Sequence, residues 1–166
     1  MNVPLTYTDK NETGCCAVPN VSAWDEQEVT FEDKPFIRMH TRSLFHVPLN
    51  MSKVMTTLQS AAETAGVEMP PQEAMILSRE LSPWKAEQLY AVSKEIPGAD
   101  NVTLNGTFMT KVYEGPFQNA KKWHEDLISY VKKSGREAKD TYFFYTTCPK
   151  CAKHYGKNYV VGLALV

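Results

Sequence analysis

The sequence predicts an α+β fold made of two tandem copies of a strand-helix-strand-strand module, related by pseudo-twofold symmetry. Three observations lead to this prediction. The chain has 166 residues, 43% of them hydrophobic, which is enough for one globular domain with its own core. Residues 96–101 (IPGADN) form the strongest break in the interior of the chain. The same order of elements is predicted on both sides of that break, and a duplicated module can cover the apolar face of its twin.

The N-terminal residues 1–34 are predicted to be an irregular arm. They contain Pro4, Gly14 and Pro19 among mixed polar residues and show no sustained periodicity. The domain proper is then expected to span residues 35–166, with modules at about 35–97 and 104–166.

In the first module, residues 36–47 alternate loosely between apolar and polar side chains, which predicts a strand. A helix is predicted next, with Asn50 as N-cap and Gly66 as the C-terminal stop. Its apolar residues recur at helical spacing and are Met51, Met55, Leu58, Ala62 and Ala65. Residues 74–81 and 87–93 are predicted to be two strands joined by a turn at Ser82 and Pro83.

The second module repeats this order. Residues 107–113 are predicted to be a strand, and Gly115 and Pro116 to open a helix that ends at Gly135. The apolar stripe of that helix consists of Ala120, Trp123, Leu127, Tyr130 and Val131. Residues 141–146 and 158–165 are the last two predicted strands.

Two packed copies predict a cleft where they meet, and small-molecule sites favour such places. Aromatic residues fall on the elements that would line it: Trp84, Tyr90, Phe108, Tyr113, Trp123, Tyr142, Phe144 and Tyr145. The alternative is that about half of them fill the core. Because side chains alternate along a strand, Tyr142 and Phe144 can face the cleft together only if Phe143 and Tyr145 do not.

Residues 108–117, a predicted strand that ends in Gly115-Pro116-Phe117, run into a helix that carries Trp123. Together with the duplicated order, this segment resembles the GyrI-like small-molecule-binding domains, the effector-binding domains of multidrug-responsive regulators. The resemblance covers residues 35–166 and implies an aromatic cleft for planar or cationic organic molecules. No DNA-binding helix-turn-helix fits before residue 35, so the chain resembles a stand-alone member of that superfamily.

Stand-alone members include hydrolases that open the cyclopropane ring of DNA-alkylating natural products, and the resemblance implies hydrolysis as an alternative function. The last strand has no acidic residue where the family often has one. Glu80, Glu87 and Glu114 are therefore the candidate carboxylates, with Tyr113 as a partner for general acid-base chemistry. The alternative interpretation is that these are solvated surface carboxylates.

Four cysteines form two pairs: Cys15 with Cys16 in the arm, and Cys148 with Cys151 in the predicted last loop. A Cys-Pro-x-Cys segment is half of a zinc site, which the arm pair would complete, or one arm cysteine together with His154. A redox pair is the second interpretation, although no helix start is predicted after Cys148 to activate it. Packing thiols without chemistry are the third.

The formal net charge of −1 argues against sequence-independent nucleic-acid binding. No stretch has the roughly 20 apolar residues of a membrane span, and residues 1–14 do not have the pattern of a signal peptide. A cytoplasmic protein without membrane partners is therefore expected. The leading functional hypothesis is binding of small aromatic or apolar molecules. The alternatives are a hydrolase of strained or electrophilic rings and a zinc-stapled or redox-sensing cysteine module.

Overall fold

The computed structural model describes residues 3–14 and 16–166. The strands are β1 (Gln27–Leu44), β2 (Val47–Pro48), β3 (Ile76–Ser82), β4 (Lys85–Ala91), β5 (Asn101–Glu114), β6 (Asp140–Tyr145) and β7 (Tyr159–Leu165). The α-helices are α1 (Val21–Trp24), α2 (Met51–Ala65), α3 (Ala120–Lys133) and α4 (Pro149–Tyr155), and short 3₁₀ turns lie at Pro71–Glu73 and Phe117–Asn119. Among the described residues, no helix has the length and apolar character needed to cross a membrane.

The predicted α+β class and the duplicated order are confirmed. The order strand, helix, strand, strand occurs first as β1, α2, β3, β4 and again as β5, α3, β6, β7. The chain divides into two compact units. Unit 1 comprises Met1–Glu32, Pro71–Glu73 and Asn105–Val166, and unit 2 comprises Asp33–Pro70 and Ala74–Leu104.

Unit 2 is an antiparallel sheet in the order β2, β1, β4, β3 with α2 on one face. Its core is a cluster of buried aliphatic residues: Ile37, Val54, Leu58, Ala62, Val67 and Val92. The helix ends as predicted at Gly66, whose left-handed φ of 67° suits a residue without a Cβ. Asn50 occupies the N-cap position, but its side chain instead accepts a 2.7 Å hydrogen bond from the amide of Arg42.

Unit 1 contains the same arrangement, with β7 paired to β5 on one side and to β6 on the other, all antiparallel. The apolar stripe of α3 packs on this sheet in a cluster with Met109, Leu127, Val131 and Ala164. Gly162 allows that close approach. A Cβ at this position would lie 3.1 Å from Leu127 Cδ2 and 3.2 Å from Tyr113 Cε2, tighter than ordinary contact.

The arm differs from its prediction, because much of it is regular and packs within unit 1. Tyr7 contacts Phe144 edge to face at 6.0 Å, and Phe31 packs on Phe108 at 5.0 Å. The Thr110 hydroxyl donates to the carbonyl of Trp24. Side chains from both ends of the chain therefore share one core, a long-range contact that local sequence patterns do not reveal.

Several boundaries predicted from the sequence are wrong, among them the start of β5, which lies at Asn101 and not at residue 107. β1 begins at Gln27, so Pro35 lies inside a strand instead of ending the arm. The predicted last loop contains α4, which begins at Pro149. Proline suits the first turn of a helix because its missing N–H would have no partner there. The extent of one domain over residues 35–166 stays a prediction.

Candidate functional site

Glu87 is a buried carboxylate on β4, with 2% of its surface exposed. It lies directly opposite Arg79 of β3 and His40 of β1. Arg38 shares this sheet face, since its neighbour Ile37 belongs to the core beneath α2 on the other face. Three strands thus converge on one carboxylate.

The carboxylate of Glu87 is held by two guanidinium groups. Arg79 Nε donates to Oε1 at 2.8 Å, and Arg38 Nη1 lies 3.5 Å from Oε2. Arg38 is itself fixed by Asp100 through a 2.9 Å bond to Oδ2 and a 3.3 Å bond to Oδ1. The hydrogen bond to Asp100 raises the pKa of Arg38, so its positive charge is secure. The outcome is an ionised network that orients both oxygens of Glu87.

The other two candidate carboxylates are about half exposed. Glu80 pairs with His46, and Glu114 lies 3.8 Å from Lys157 Nζ. Both match the alternative interpretation of solvated surface groups. Local sequence does not separate Glu87 from Glu80, because both lie in predicted strands of similar composition.

Tyr113 belongs to a second polar cluster, on the α3 side of unit 1. Its ring stacks on Trp123 at 5.8 Å, and its hydroxyl donates to Asp126 Oδ2 at 2.9 Å. Lys111 Nζ contacts the same oxygen at 2.8 Å. Burial and the neighbouring Asp126 raise the pKa of Tyr113 well above its ordinary value. The phenol therefore keeps its proton and acts as a hydrogen-bond donor.

Asp126 was not among the residues singled out from the sequence. It lies three positions after Trp123 on α3, so the helical periodicity places the two residues on neighbouring parts of the helix surface. This three-residue spacing is the feature of the sequence that could have indicated Asp126 as a neighbour of Trp123.

The substitution Asp126→Asn is expected to make the free energy of unfolding depend less steeply on pH in the acid range. The hydrogen bond with Lys111 lowers the pKa of Asp126 below its ordinary value. This carboxylate therefore adds stability above the unfolded-state pKa of about 3.9, and the contribution is lost as the pH falls through the lower folded-state pKa. Urea unfolding from neutral pH down to strong acid measures the effect. Asp9→Asn, at an exposed arm position, is the control, and superimposable profiles for the wild type and Asp126→Asn would contradict the assignment.

The aromatic residues predicted to bind a ligand lie in different units and on different faces of the sheets. In unit 1, Phe108, Tyr142 and Phe144 are buried on the sheet face away from α3, whereas Tyr113 and Trp123 lie on the α3 side. In unit 2, Tyr90 packs against the core beneath α2. Trp84 is 52% exposed at the β3–β4 turn, and its ring lies 4.9 Å from that of Phe45. A ligand-binding role for these residues stays a prediction.

Three of the four cysteines come together in unit 1. Cys148 Sγ lies 3.7 Å from Cys16 Sγ and 3.3 Å from Cys151 Sγ, and all three sulfurs lie within 4.8 Å of one another. Cys15, predicted as a fourth ligand, is outside the described residues. His154 is not part of the cluster, and its Nε2 lies 3.1 Å from Glu12 Oε2.

The expectation that no helix start follows Cys148 is wrong, because Cys148 is the N-cap of α4. The three thiols offer soft ligands that could hold a metal ion. Sequence spacing revealed the Cys148-Cys151 half, and among the described residues the folded chain brings Cys16 beside it.

Two solved structures from Listeria innocua share this fold. One, described as an uncharacterized conserved protein, has a TM-score of 0.61 at 9% identity and covers 87% of this chain and 94% of its own. The other, described as a hydrolase, has a TM-score of 0.59 at 9% identity and covers 86% and 92%. A third structure, SAV2435 bound to tetraphenylphosphonium, has a TM-score of 0.46 at 13% identity and covers 84% and 91%.

No curated protein matches the chain. A protein-family model described as "Bacterial hydrolase" matches residues 6–166, which include the arm from residue 6 onward, both copies of the repeated order and the three clustered cysteines. Since this match spans almost the entire sequence, the chain belongs to the bacterial hydrolase family.

Proposed function

We propose that the protein hydrolyses a small organic molecule with a strained or electrophilic ring, and that Glu87 is the general base. The observation that carries the proposal is the burial of this carboxylate between two arginines, in a chain whose family is described as hydrolases. Burying a charged side chain is costly unless it is paired, and carboxylates are almost never fully buried without such partners. We also propose that the protein is related to the stand-alone GyrI-like hydrolases that its sequence resembles.

The arginines fix the position of the Glu87 carboxylate. Arg79 orients the carboxylate through its hydrogen bond to Oε1. Oε2 is held less tightly, since its contact with Arg38 is 3.5 Å long. A carboxylate accepts about four hydrogen bonds, so Oε2 retains capacity for a water molecule.

In the proposed step, Glu87 takes a proton from that water while the water oxygen bonds to an electrophilic ring carbon. The ring bond breaks, and its electron pair stays on the leaving atom, which takes up one proton from solvent. Glu87 then releases the proton that it took from the water back to solvent, which restores the carboxylate. The net change is the addition of one water molecule to the substrate.

The test is a panel of epoxides, activated cyclopropanes and lactones incubated with the protein in ¹⁸O-labelled water and analysed by mass spectrometry. Product carrying one labelled water is the expected result. Glu87→Gln, which keeps the shape of the side chain, is expected to lower turnover per folded molecule by about 100-fold or more. Glu95→Gln, at an exposed position of unit 2, is the control. Unchanged turnover in folded Glu87→Gln would refute the assignment.

A second candidate function is binding of a flat aromatic molecule without turnover. Its supporting observation is the pair of exposed rings of Phe45 and Trp84, which lie 4.9 Å apart in unit 2. Exposed neighbouring apolar groups often mark ligand or partner sites, and aromatic rings bind planar molecules by stacking.

Trp84 provides its own assay. The other tryptophans, Trp24 and Trp123, are 1% and 6% exposed, so external quenching of intrinsic fluorescence reports mainly on Trp84. A bound aromatic dye such as 1-anilinonaphthalene-8-sulfonate is expected to protect this residue from iodide quenching, and Phe45→Ala, which keeps the Trp84 reporter, is expected to weaken the protection. Dye binding that leaves iodide quenching unchanged would argue against this site.

For the cysteine cluster we propose zinc as the metal. This cluster is separate from the proposed hydrolytic site, since Cys16, Cys148 and Cys151 belong to unit 1 whereas Glu87 belongs to unit 2.

A further inference from the structure

We infer that Cys16, Cys148 and Cys151 bind one zinc ion as thiolates, and that this ion pins the N-terminal segment around Cys16 onto α4. The inference deepens the zinc assignment proposed above by naming the ligand set and its structural effect. It is independent of hydrolysis at Glu87.

The distances between the sulfurs suit a tetrahedral metal. Zinc–sulfur bonds are about 2.3 Å long, which places two sulfurs of a tetrahedral site about 3.8 Å apart. The Cys16–Cys148 separation is 3.7 Å, and the Cys148–Cys151 separation is 3.3 Å. A disulfide needs about 2.05 Å. The third pair lies within 4.8 Å. One ion therefore needs Cys148 and Cys151 to move apart by about 0.5 Å and the third pair to close by about 1 Å or less.

The donor set selects the type of metal. Three thiols are soft ligands, which favour zinc over hard cations such as magnesium or calcium. Cys151 has no exposed surface. Three neighbouring thiolates would repel one another without a cation, and a divalent ion removes that repulsion.

Contacts around the cluster form a supporting shell. The Thr13 hydroxyl lies 3.2 Å from Cys151 Sγ, in position to orient a thiolate. Tyr155 donates to the carbonyl of Cys16 at 2.7 Å and accepts from the amide of Glu12 at 3.1 Å. These bonds hold the arm and α4 in register around the sulfurs, although Cys16 and Cys148 are 132 positions apart in sequence.

A tetrahedral site needs a fourth ligand, which comes from water or from the protein. Cys15 and His154 are the side chains to test. Removing a side chain that binds the zinc lowers the zinc affinity, whereas removing a side chain that does not bind it leaves the affinity unchanged. Substitution of each residue therefore shows whether it is a ligand.

The first test uses the full wild-type chain, purified without chelator. We expect about one zinc ion per chain, released when the thiols are modified with an organomercurial. Cobalt substituted for zinc is expected to give thiolate charge-transfer absorption and the visible bands of tetrahedral coordination. Because this measurement needs no substitution, it remains decisive even if cysteine variants fold poorly.

The second test compares variants by zinc content and by hydrogen exchange. Cys16→Ser, Cys148→Ser and Cys151→Ser are each expected to lose the metal. Thr13→Val is expected to weaken binding by about tenfold. Cys15→Ser and His154→Ala assign the fourth position: loss of affinity in one identifies that ligand, and retention in both identifies water. Lys150→Ala, an exposed α4 position between two of the cysteines, is the matched control that keeps the zinc.

Chelation of the wild type is expected to speed hydrogen exchange in the arm and α4, with no change in the strands of unit 2. Three results would overturn the inference: a wild-type chain that stays metal-free after zinc is added, a cobalt spectrum without thiolate charge transfer, or metal loss that leaves exchange in the arm unchanged. None of these outcomes bears on turnover by Glu87, so the two proposals fail separately.

Discussion

Replacing Glu87 with alanine is expected to lower the free energy of unfolding by about 3 to 5 kcal/mol, the cost of breaking a buried ion pair from one side. The substitution leaves Arg79 and Arg38 facing the position of the missing carboxylate, each with about 30% of its side chain exposed. Partial access to water places the expected value near the lower end. Urea unfolding at neutral pH measures the change.

Glu80→Ala is the matched control on the same hairpin. Glu80 is about half exposed, and its pairing with His46 is a surface contact, so the expected change is within about 1 kcal/mol. Equal losses of unfolding free energy in the two variants would mean that the buried ion pairs of Glu87 stabilise the fold no more than a surface contact does. Because Glu87→Gln preserves packing, its stability and turnover together separate a catalytic role from a purely structural one.

Phe108→Ala is expected to cost about 3 to 5 kcal/mol of unfolding free energy. The ring has no exposed surface and packs on Phe31 at 5.0 Å and Tyr142 at 6.3 Å. Truncation removes its burial and leaves a cavity that neighbours from separate strands cannot fill without moving the backbone. Thermal and urea unfolding both report this loss.

Trp84→Ala is the comparison, because Trp84 was predicted to share a cleft with Phe108 but is half exposed. Its expected cost is below about 1 kcal/mol, typical of surface positions. A large cost at Trp84, or a small one at Phe108, would reverse the assignment of which aromatic residues form the core.

The candidate site was only partly predictable from the sequence. Glu87 could be named as a carboxylate on a strand, but its burial depends on Arg38 and Arg79, which reach it from two other strands. Asp126 was missed because its partner Lys111 lies on a different element. The Cys-Pro-x-Cys spacing was visible in the sequence, and so was the proline that starts α4, a signal that was overlooked.

Local sequence patterns by themselves determined the α+β class, the repeated strand-helix-strand-strand order, the end of α2 at Gly66 and the buried stripe of α3. These follow from side chains within a few residues of one another, which share a helix face or alternate along a strand. Only the tertiary structure decided which of the candidate carboxylates is buried, which rings form the core and that Cys16 lies beside Cys148 and Cys151. Each of those outcomes depends on contacts between residues far apart in sequence, and such contacts form only when the whole chain packs.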